Sequence, residues 1–474
     1  MPEVLLLNPP PIASERYLKE LGAGGEAHVD AVYPPLKLAY VAALLRENGI
    51  PIDLLDANAL NMKLNEFKNY LSKKQFSLVI LNTITCSYPS DLKTAHIIKE
   101  ILPDCEIALF GQFATAKWDL IMKEDVIDYA IVGEAEMTCL ELSKAVLGNR
   151  DFKNIRGLVW KKGSQIILNE PRELIQDLDS LPFPARDLLP IKNYRHTLAM
   201  SNPFMFMMTS RGCIHNCLFC GTKTIYKRKW RGRDPKKVVD EMQELRERYG
   251  IRDIWIWDEN FLLVRERTIQ ICKEIIDRGL DVEFCCMGRV DCVDEEIVNY
   301  LAKAGCYNIN YGVESADPNT LETIRKNISL EQVERAFKIT KKAGIETAAY
   351  LLIGLPGENM EHVKKTLRFV KKIKPDIAIY HIVVPYPGTD FYDMAKEKGW
   401  IITDDWERYN ERQSVISYPD FTAKDIEYAQ KWAYIHFYMD PFYLFRQLIQ
   451  IRSIKDIKRL YRRACNYLKI MKEL

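Results

Sequence analysis

The chain has 474 residues, of which 47% are hydrophobic and 28% charged, and its net charge is +2. That composition belongs to a globular protein with about three domains' worth of chain, and the charge balance excludes a globally basic nucleic-acid binder, so no nucleic-acid partner is expected. Twelve cysteines are too sparse for a disulfide scaffold at this length, and their clustering points to metal ligation in a reducing compartment. The N-terminal apolar run is short and follows no basic segment, and no apolar run approaches a membrane span, so a cytoplasmic protein is expected.

The first 150 residues alternate short apolar runs with helical stretches. Strands are expected at 4–7, 52–56, 78–81, 107–111 and 129–133, and helices at 36–48, 60–71, 91–102 and 136–146. Continuous apolar runs are buried on both faces, and their alternation with helices predicts an α/β, doubly wound parallel sheet. Ligands of such sheets bind outside the carboxyl ends of the strands. The loops there hold Asn8-Pro9-Pro10, Asp56-Ala57-Asn58, Asn82-Thr83-Ile84-Thr85-Cys86-Ser87, Gly111-Gln112-Phe113-Ala114-Thr115 and Gly133-Glu134. Glycine and small polar residues let a large ligand approach the backbone. Residues 151–197 read as a connector, with two short strands at 157–160 and 165–168 and an irregular stretch at 177–190 that holds Pro182, Pro184 and Pro190.

Past the connector, the apolar run 204–208 leads into Arg211-Gly212-Cys213-Ile214-His215-Asn216-Cys217-Leu218-Phe219-Cys220-Gly221. Cys213, Cys217 and Cys220 stand at C-x3-C-x2-C spacing, a metal-site pattern. Zinc would want a fourth ligand nearby, and His215, between two of the cysteines, strains that geometry. A four-iron cluster on three thiolates leaves one iron open to a substrate or cofactor. Behind the cysteines, Asp234-Pro235 opens a helix that Gly250 closes. Strands expected at 253–257, 282–286, 307–311, 347–353 and 377–383 then alternate with helices at 265–278, 295–304, 330–343 and 360–373. With the run before Cys213 these make six β/α units, a partial barrel over 198–400 whose chemistry belongs at the carboxyl ends of its strands. Asp258-Glu259-Asn260, Gly288-Arg289, Gly312-Val313-Glu314-Ser315, Gly354-Leu355-Pro356-Gly357-Glu358 and Pro385-Tyr386-Pro387-Gly388-Thr389 fall at those ends in turn.

Cys213-x3-Cys217-x-Phe219-Cys220, with these strand-end groups behind it, resembles the signature of the radical S-adenosylmethionine (SAM) family. The resemblance implies that Cys213, Cys217 and Cys220 hold a 4Fe–4S cluster whose open iron chelates SAM. Reduction of the cluster would then release a 5′-deoxyadenosyl radical that abstracts hydrogen from unactivated carbon. It implies further that Asp258 and Glu259 meet the SAM ammonium and Arg289 its carboxylate. Glu314, within Gly312-x-Glu314-Ser315, would contact the ribose or the amino group, and Phe219 would belong to the same site. An ammonium, a carboxylate and ribose hydroxyls suit acids, a guanidinium and a serine.

The domain ahead resembles the cobalamin-binding domain of cobalamin-dependent radical SAM proteins through Asn8-Pro9-Pro10, Pro34-Pro35-Leu36, Gly111-x-x-Ala114-Thr115 and Gly133-Glu134-x-Glu136. The cobalamin contacts implied are Asn8, Pro9, Asp56, Thr83, Ser87, Gly111, Gln112, Gly133 and Glu134. Two departures stand out. The motif D-x-H-x-x-G, which gives many cobalamin proteins a lower axial histidine, is absent, because none of the seven histidines is followed by x-x-Gly. Gln112-Phe113 also stands where relatives often show Gly and His. A related domain binding another nucleotide, or nothing, is the alternative.

From 422 onward, within an expected helical region at 401–474, the chain is rich in Tyr, Phe and Trp, and relatives often end in helices that cap the barrel. Residues 441–474 carry nine Lys/Arg against two acids. Ile454, Ile457, Leu460 and Tyr461 share one helical face, a basic amphipathic helix that either touches an anionic membrane or packs on the barrel. The whole order implies a radical enzyme that functionalises, most commonly by methylation, an unactivated carbon of a small molecule such as a lipid, an isoprenoid or a porphyrin, with ferredoxin or flavodoxin as reductant. Bond formation or oxidative cyclisation without methylation is a second reading, and a non-enzymatic cobalamin or redox sensor a third.

Overall fold

A computed structural model describes residues 3–11, 17–18, 25–26, 31–449, 451, 457 and 460–465. Strands β1 (Val4–Asn8), β2 (Ile52–Asp56), β3 (Leu78–Asn82), β4 (Glu106–Phe110) and β5 (Tyr129–Ile131) form a parallel sheet. The strand order is β2-β1-β3-β4-β5, with the chain leaving β1 to opposite sides, so a switch point lies between β1 and β3. Asn8 and Thr83 end up beside it, where ligands of open α/β sheets bind. Every residue of β1 and β3 is buried, as their unbroken apolar runs require. The hairpin read as connector, β6 (Leu158–Lys162) and β7 (Gln165–Leu168), instead extends this sheet, with β6 antiparallel to β5.

The second sheet runs in sequence order and is parallel throughout: β8 (Phe204–Met207), β9 (Asp253–Ile256), β10 (Glu283–Gly288), β11 (Cys306–Glu314), β12 (Glu346–Ile353) and β13 (Ile377–Ile382). Its strands carry a face that looks into a lumen. Tyr307, Asn310 and Gly312 are only half-buried, as are Tyr350, Leu352, Ile379 and His381, while their neighbours are buried. Asp234 caps the first barrel helix (Pro235–Tyr249) by accepting from the Lys236 and Lys237 N–H groups, and Gly250, at φ 68°, ends it.

Six strands do not close a barrel, so β13 has a free edge. The aromatic tail covers it. In the helix Ala423–Tyr438, the Tyr434 hydroxyl accepts from Tyr380 N–H and the Tyr438 hydroxyl from Ala378 N–H, both at 3.2 Å, and Gln430 Nε2 donates to Tyr380 O at 2.8 Å. Side chains thus satisfy backbone groups that would otherwise template aggregation.

Some elements differ from expectation. The helix expected at 60–71 is Leu64–Ser72, and that expected at 91–102 begins at Tyr88. A helix over Gln112–Ile121 stands where a loop was expected, because Gly111, at φ 114°, turns the chain straight from β4 into it. Phe113 is consequently core, packed edge-on to Trp406 with ring centroids 5.2 Å apart. Ile454 of the expected amphipathic helix lies outside the described residues, as does most of 450–459.

Candidate active site

The cysteine loop is anchored before it begins. Ser210–Arg211 pairs antiparallel with Arg231–Gly232, and Gly212 turns at φ 84° with Lys229 O where a Cβ would stand, 2.1 Å away. Asp258 is almost fully buried and accepts from Thr209 N–H and from the Ser210 hydroxyl at 2.6 Å, and from the Thr209 hydroxyl at 2.5 Å. Both of its oxygens help to position this loop, and Asp258 lines the same cavity as Glu259. Glu259 Oε2 accepts from Gly212 N–H at 2.9 Å. Burial, followed by repulsion from Asp258, pushes the Glu259 carboxyl up to about 7.

Cys213, Cys217, Phe219 and Cys220 all line one cavity of about 530 Å3, together with Glu259, Arg289, Gly312 and Glu314. Arg289 lies with Nη1 3.9 Å from Cys217 Sγ and is held by a two-point pair with Asp291, at 3.0 Å for each bond. Glu314 receives Lys326 Nζ at 2.6 Å. Arg289 and Glu314 therefore each have a separate partner and do not pair with one another. A Cβ at Gly312 would stand 2.6 Å from Glu314 Oε1 and 2.7 Å from Lys326 Nζ, so only glycine leaves room for this buried pair. Glu314 itself sits at φ 64°, a strained conformation for a non-glycine residue. Ser315 is fully buried, accepts from Asp317 N–H at 3.2 Å and lies 3.4 Å from the Thr366 hydroxyl. It is outside the cavity lining, which corrects its expected place in the site. Lys326 and Asp291 were missed because neither lies in a recognisable strand-end motif.

These groups fit a cluster and SAM. Burial pushes the Cys213 thiol up to about 11 and the Cys220 thiol upward, so thiolates there call for a bound cationic centre. The acid–base set around them, Glu259, Arg289, Glu314 and Lys326, offers both signs of charge to a zwitterion.

On the first sheet, Asn8 Nδ2 donates to Asp56 Oδ1 at 2.8 Å, and Asp56 also accepts from Ala59 N–H and the Tyr194 hydroxyl, both at 2.9 Å. Asp56 thereby ties the sheet to the connector. Ser87 donates to Asp91 at 2.7 Å and accepts from Ile84 N–H at 3.1 Å. Pro9 is buried beside Asn8, and Gly133, at φ 90°, donates its N–H to the Thr115 hydroxyl at 3.1 Å. A Cβ on Gly111 would lie 2.4 Å from Asn82 Oδ1 and 2.5 Å from Thr83 O. Among the described residues the Thr83 hydroxyl and Gln112 Nε2 are buried without a hydrogen-bond partner. Orphaned polar atoms at a strand-end crevice call for a polar ligand, and the amide-fringed edge of cobalamin answers that need. Gln112 also reaches the cavity, packed so tightly on Gly221 that a Cβ there would meet Nε2 at 2.2 Å.

Glu134 has another role than the expected ligand contact. It accepts from Arg211 Nη1 at 3.0 Å, from Arg231 Nη1 at 2.8 Å and from Ile175 N–H at 2.8 Å, while Glu136 accepts from Arg211 Nη2 at 2.6 Å. This buried clasp fastens the first domain to the residue two before Cys213. A second clasp joins Arg186 of the connector to the fully buried Glu241 of the barrel at 2.5 Å.

A model of the radical SAM superfamily matches residues 207–370, and a model of the B12 binding domain matches residues 25–143. Over 469 residues the chain is 32% identical to an uncharacterized methyltransferase of Pyrococcus horikoshii, covering 98% of this chain and 99% of that one. It is 28% identical to the anaerobic magnesium-protoporphyrin IX monomethyl ester cyclase of Rubrivivax gelatinosus over 81% of this chain and 70% of that one. The fold matches the radical SAM methyltransferase TsrM of Kitasatospora setae, solved with cobalamin and a 4Fe–4S cluster, at a TM-score of 0.70 and 18% identity, over 93% of this chain and 90% of that one. With a C-x3-C-x2-C loop opening on a cavity that the neighbouring parallel-sheet domain also reaches, this chain belongs to the cobalamin-binding radical SAM enzymes, which use a 4Fe–4S cluster, SAM and cobalamin.

Proposed function

We propose that the protein methylates an unactivated carbon of a small, largely apolar molecule. The observation that carries this reading is the shared cavity: the cysteine loop, the barrel lumen and Gln112 of the first domain all line it. When bound, the cluster supplies the electron that cleaves SAM to a 5′-deoxyadenosyl radical, and cobalamin supplies the methyl group. The chain's own part is positioning. Cys213, Cys217 and Cys220 hold the cluster. Glu259 takes the SAM ammonium, Arg289 the carboxylate, and the Glu314–Lys326 pair the ribose side. Thr83, Gly111 and Gln112 carry the corrin edge, with Asn8, Pro9, Asp56, Ser87 and Gly133 shaping the crevice. The electron comes from a low-potential donor, a ferredoxin or flavodoxin.

Growth of the source organism on methyl-labelled methionine, with a deletion strain in parallel, tests this. A labelled lipid or metabolite present in the parent and absent from the deletion strain is expected. Loss of a compound that carries no label would favour bond formation or cyclisation without methylation.

A peripheral membrane contact belongs to the same reading. The helix Pro441–Ile449 exposes Phe442, Phe445, Leu448 and Ile449, with Phe442 84% exposed, next to the basic tail. An apolar face followed in the sequence by many Lys/Arg suits an anionic bilayer. Among the described residues no helix is long and apolar enough to cross a membrane. Sedimentation with phosphatidylglycerol vesicles but not with phosphatidylcholine vesicles, lost in a Phe442→Ser/Phe445→Ser variant, is expected.

A further inference from the structure

The far end of the barrel lumen holds donors that nothing in the described chain satisfies. Trp255, Cys285, Asn308 and Glu346 stand in register on β9, β10, β11 and β12, and all four line the cavity. Trp255 and Asn308 are 6% and 5% exposed, and Trp255 Nε1 and Asn308 Nδ2 have no hydrogen-bond partner. Arg463 joins the layer from the C-terminal segment: Nη2 donates to Glu346 Oε2 at 2.8 Å, while Nε has no partner. Buried polar groups in native proteins are rarely left unpaired, and here three lie around one layer of a cavity. All three are N–H donors, so the group that completes the layer is an acceptor. Among the described residues Arg463 is the cation lining this layer and it already pairs with Glu346, so an added anion would face that carboxylate. A neutral carbonyl meets the three donors without that repulsion.

Between this layer and the cysteine loop the lumen is lined by Trp257, Met287, Tyr350 and Leu352 with Asn310 and His381 among them, a mostly apolar and aromatic wall. Asn308 and Gly312 are four residues apart along β11, which is on the order of 13 Å.

We propose that this layer seats the carbonyl of an elongated, otherwise apolar substrate, an ester, amide or ketone, and so sets the reacting carbon on the order of 13 Å from that carbonyl. The distance to the reacting carbon rests on the methylation reading, whereas the carbonyl seat does not. The test therefore needs no turnover. The reconstituted full-length protein is mixed with carbonyl-13C methyl decanoate, and the C=O stretch of the bound ester is recorded by infrared difference spectroscopy. A band at lower frequency than the ester shows in hexane is expected, moving back up in Trp255→Phe, which keeps the ring, and in Asn308→Leu, which keeps the volume. Affinity for the ester is expected to fall about tenfold in Asn308→Leu, while affinity for decane stays within twofold. A hexane-like band, a band unmoved by both variants, or no binding of the ester overturns the seat. Tighter binding of decanoate than of the ester overturns its neutral character. If the band behaves as expected but SAM is never cleaved, the methylation reading fails and the seat stands.

Discussion

The two parallel sheets of this protein put their sites in the same place and build them differently. In the first, β1 and β3 are buried on both faces, so helices cover the sheet and only the strand-end loops are free to meet a ligand. In the barrel, one face of each strand looks into the lumen, and strand residues such as Asn308, Asn310 and His381 line the cavity directly. A covered sheet can change function only in its loops, whereas a partial barrel carries function along its strands. The domains meet where the Glu134 clasp grips Arg211, so the loop of one site is held by a strand-end acid of the other.

Cys217→Ala should break the comparison most severely. It should abolish 5′-deoxyadenosine release and the iron content of the cluster, yet leave corrinoid binding to the first domain intact; iron analysis and the absorbance of bound corrinoid distinguish the two. A variant that keeps its cluster would sink the assignment of the cysteines.

The clasp comes next. Removing one partner of a buried ion pair costs about 3–5 kcal/mol, so Glu134→Gln should lower the midpoint of urea denaturation by that equivalent and loosen both domains together. Burial alone would raise the Glu134 carboxyl, but Arg211 and Arg231 outweigh it and hold it below the ordinary carboxylate value. A depressed folded value contributes stability above the unfolded value of about 4.3, and that stability is lost as pH falls through the folded value. The wild type should therefore show an acid-induced loss that Glu134→Gln lacks.

Glu259 sharpens the barrel side. With its carboxyl at about 7, a ligand ammonium binds the ionised form and must displace a proton at lower pH. SAM affinity should fall about tenfold per pH unit below 7. Glu259→Gln should weaken binding at pH 8 by about tenfold to a hundredfold, the worth of a charged hydrogen bond, and flatten the profile; calorimetry from pH 6 to 8 reads both. Gly111→Ala probes the other sheet with a smaller effect. It forces a Cβ against Asn82 and Thr83 at a left-handed φ, a strain of about 1–3 kcal/mol, and should weaken corrinoid binding without changing SAM affinity. Ser315→Ala should matter least, costing about 1 kcal/mol of stability and leaving SAM affinity unchanged.

The sequence by itself determined the class of the protein. Apolar runs alternating with helices marked two parallel-stranded domains, C-x3-C-x2-C spacing marked the cluster, and strand-end motifs gave Glu259, Arg289, Gly312 and Glu314 a common address. These signals are local, so they survive without coordinates. Only the tertiary structure decided which acids also hold the scaffold. Asp258 and Glu134 look like ligand residues in sequence, but partners 48 and 77 residues away also hold them, and no spacing rule reports a partner at that separation. The same holds for the lumen. Trp255, Asn308 and Arg463 are far apart in the chain and share one layer because strand register and the returning C-terminal segment bring them together. Hydrophobic periodicity sets which face a residue takes, but register across strands, fixed by packing over the whole sheet, sets which residues meet.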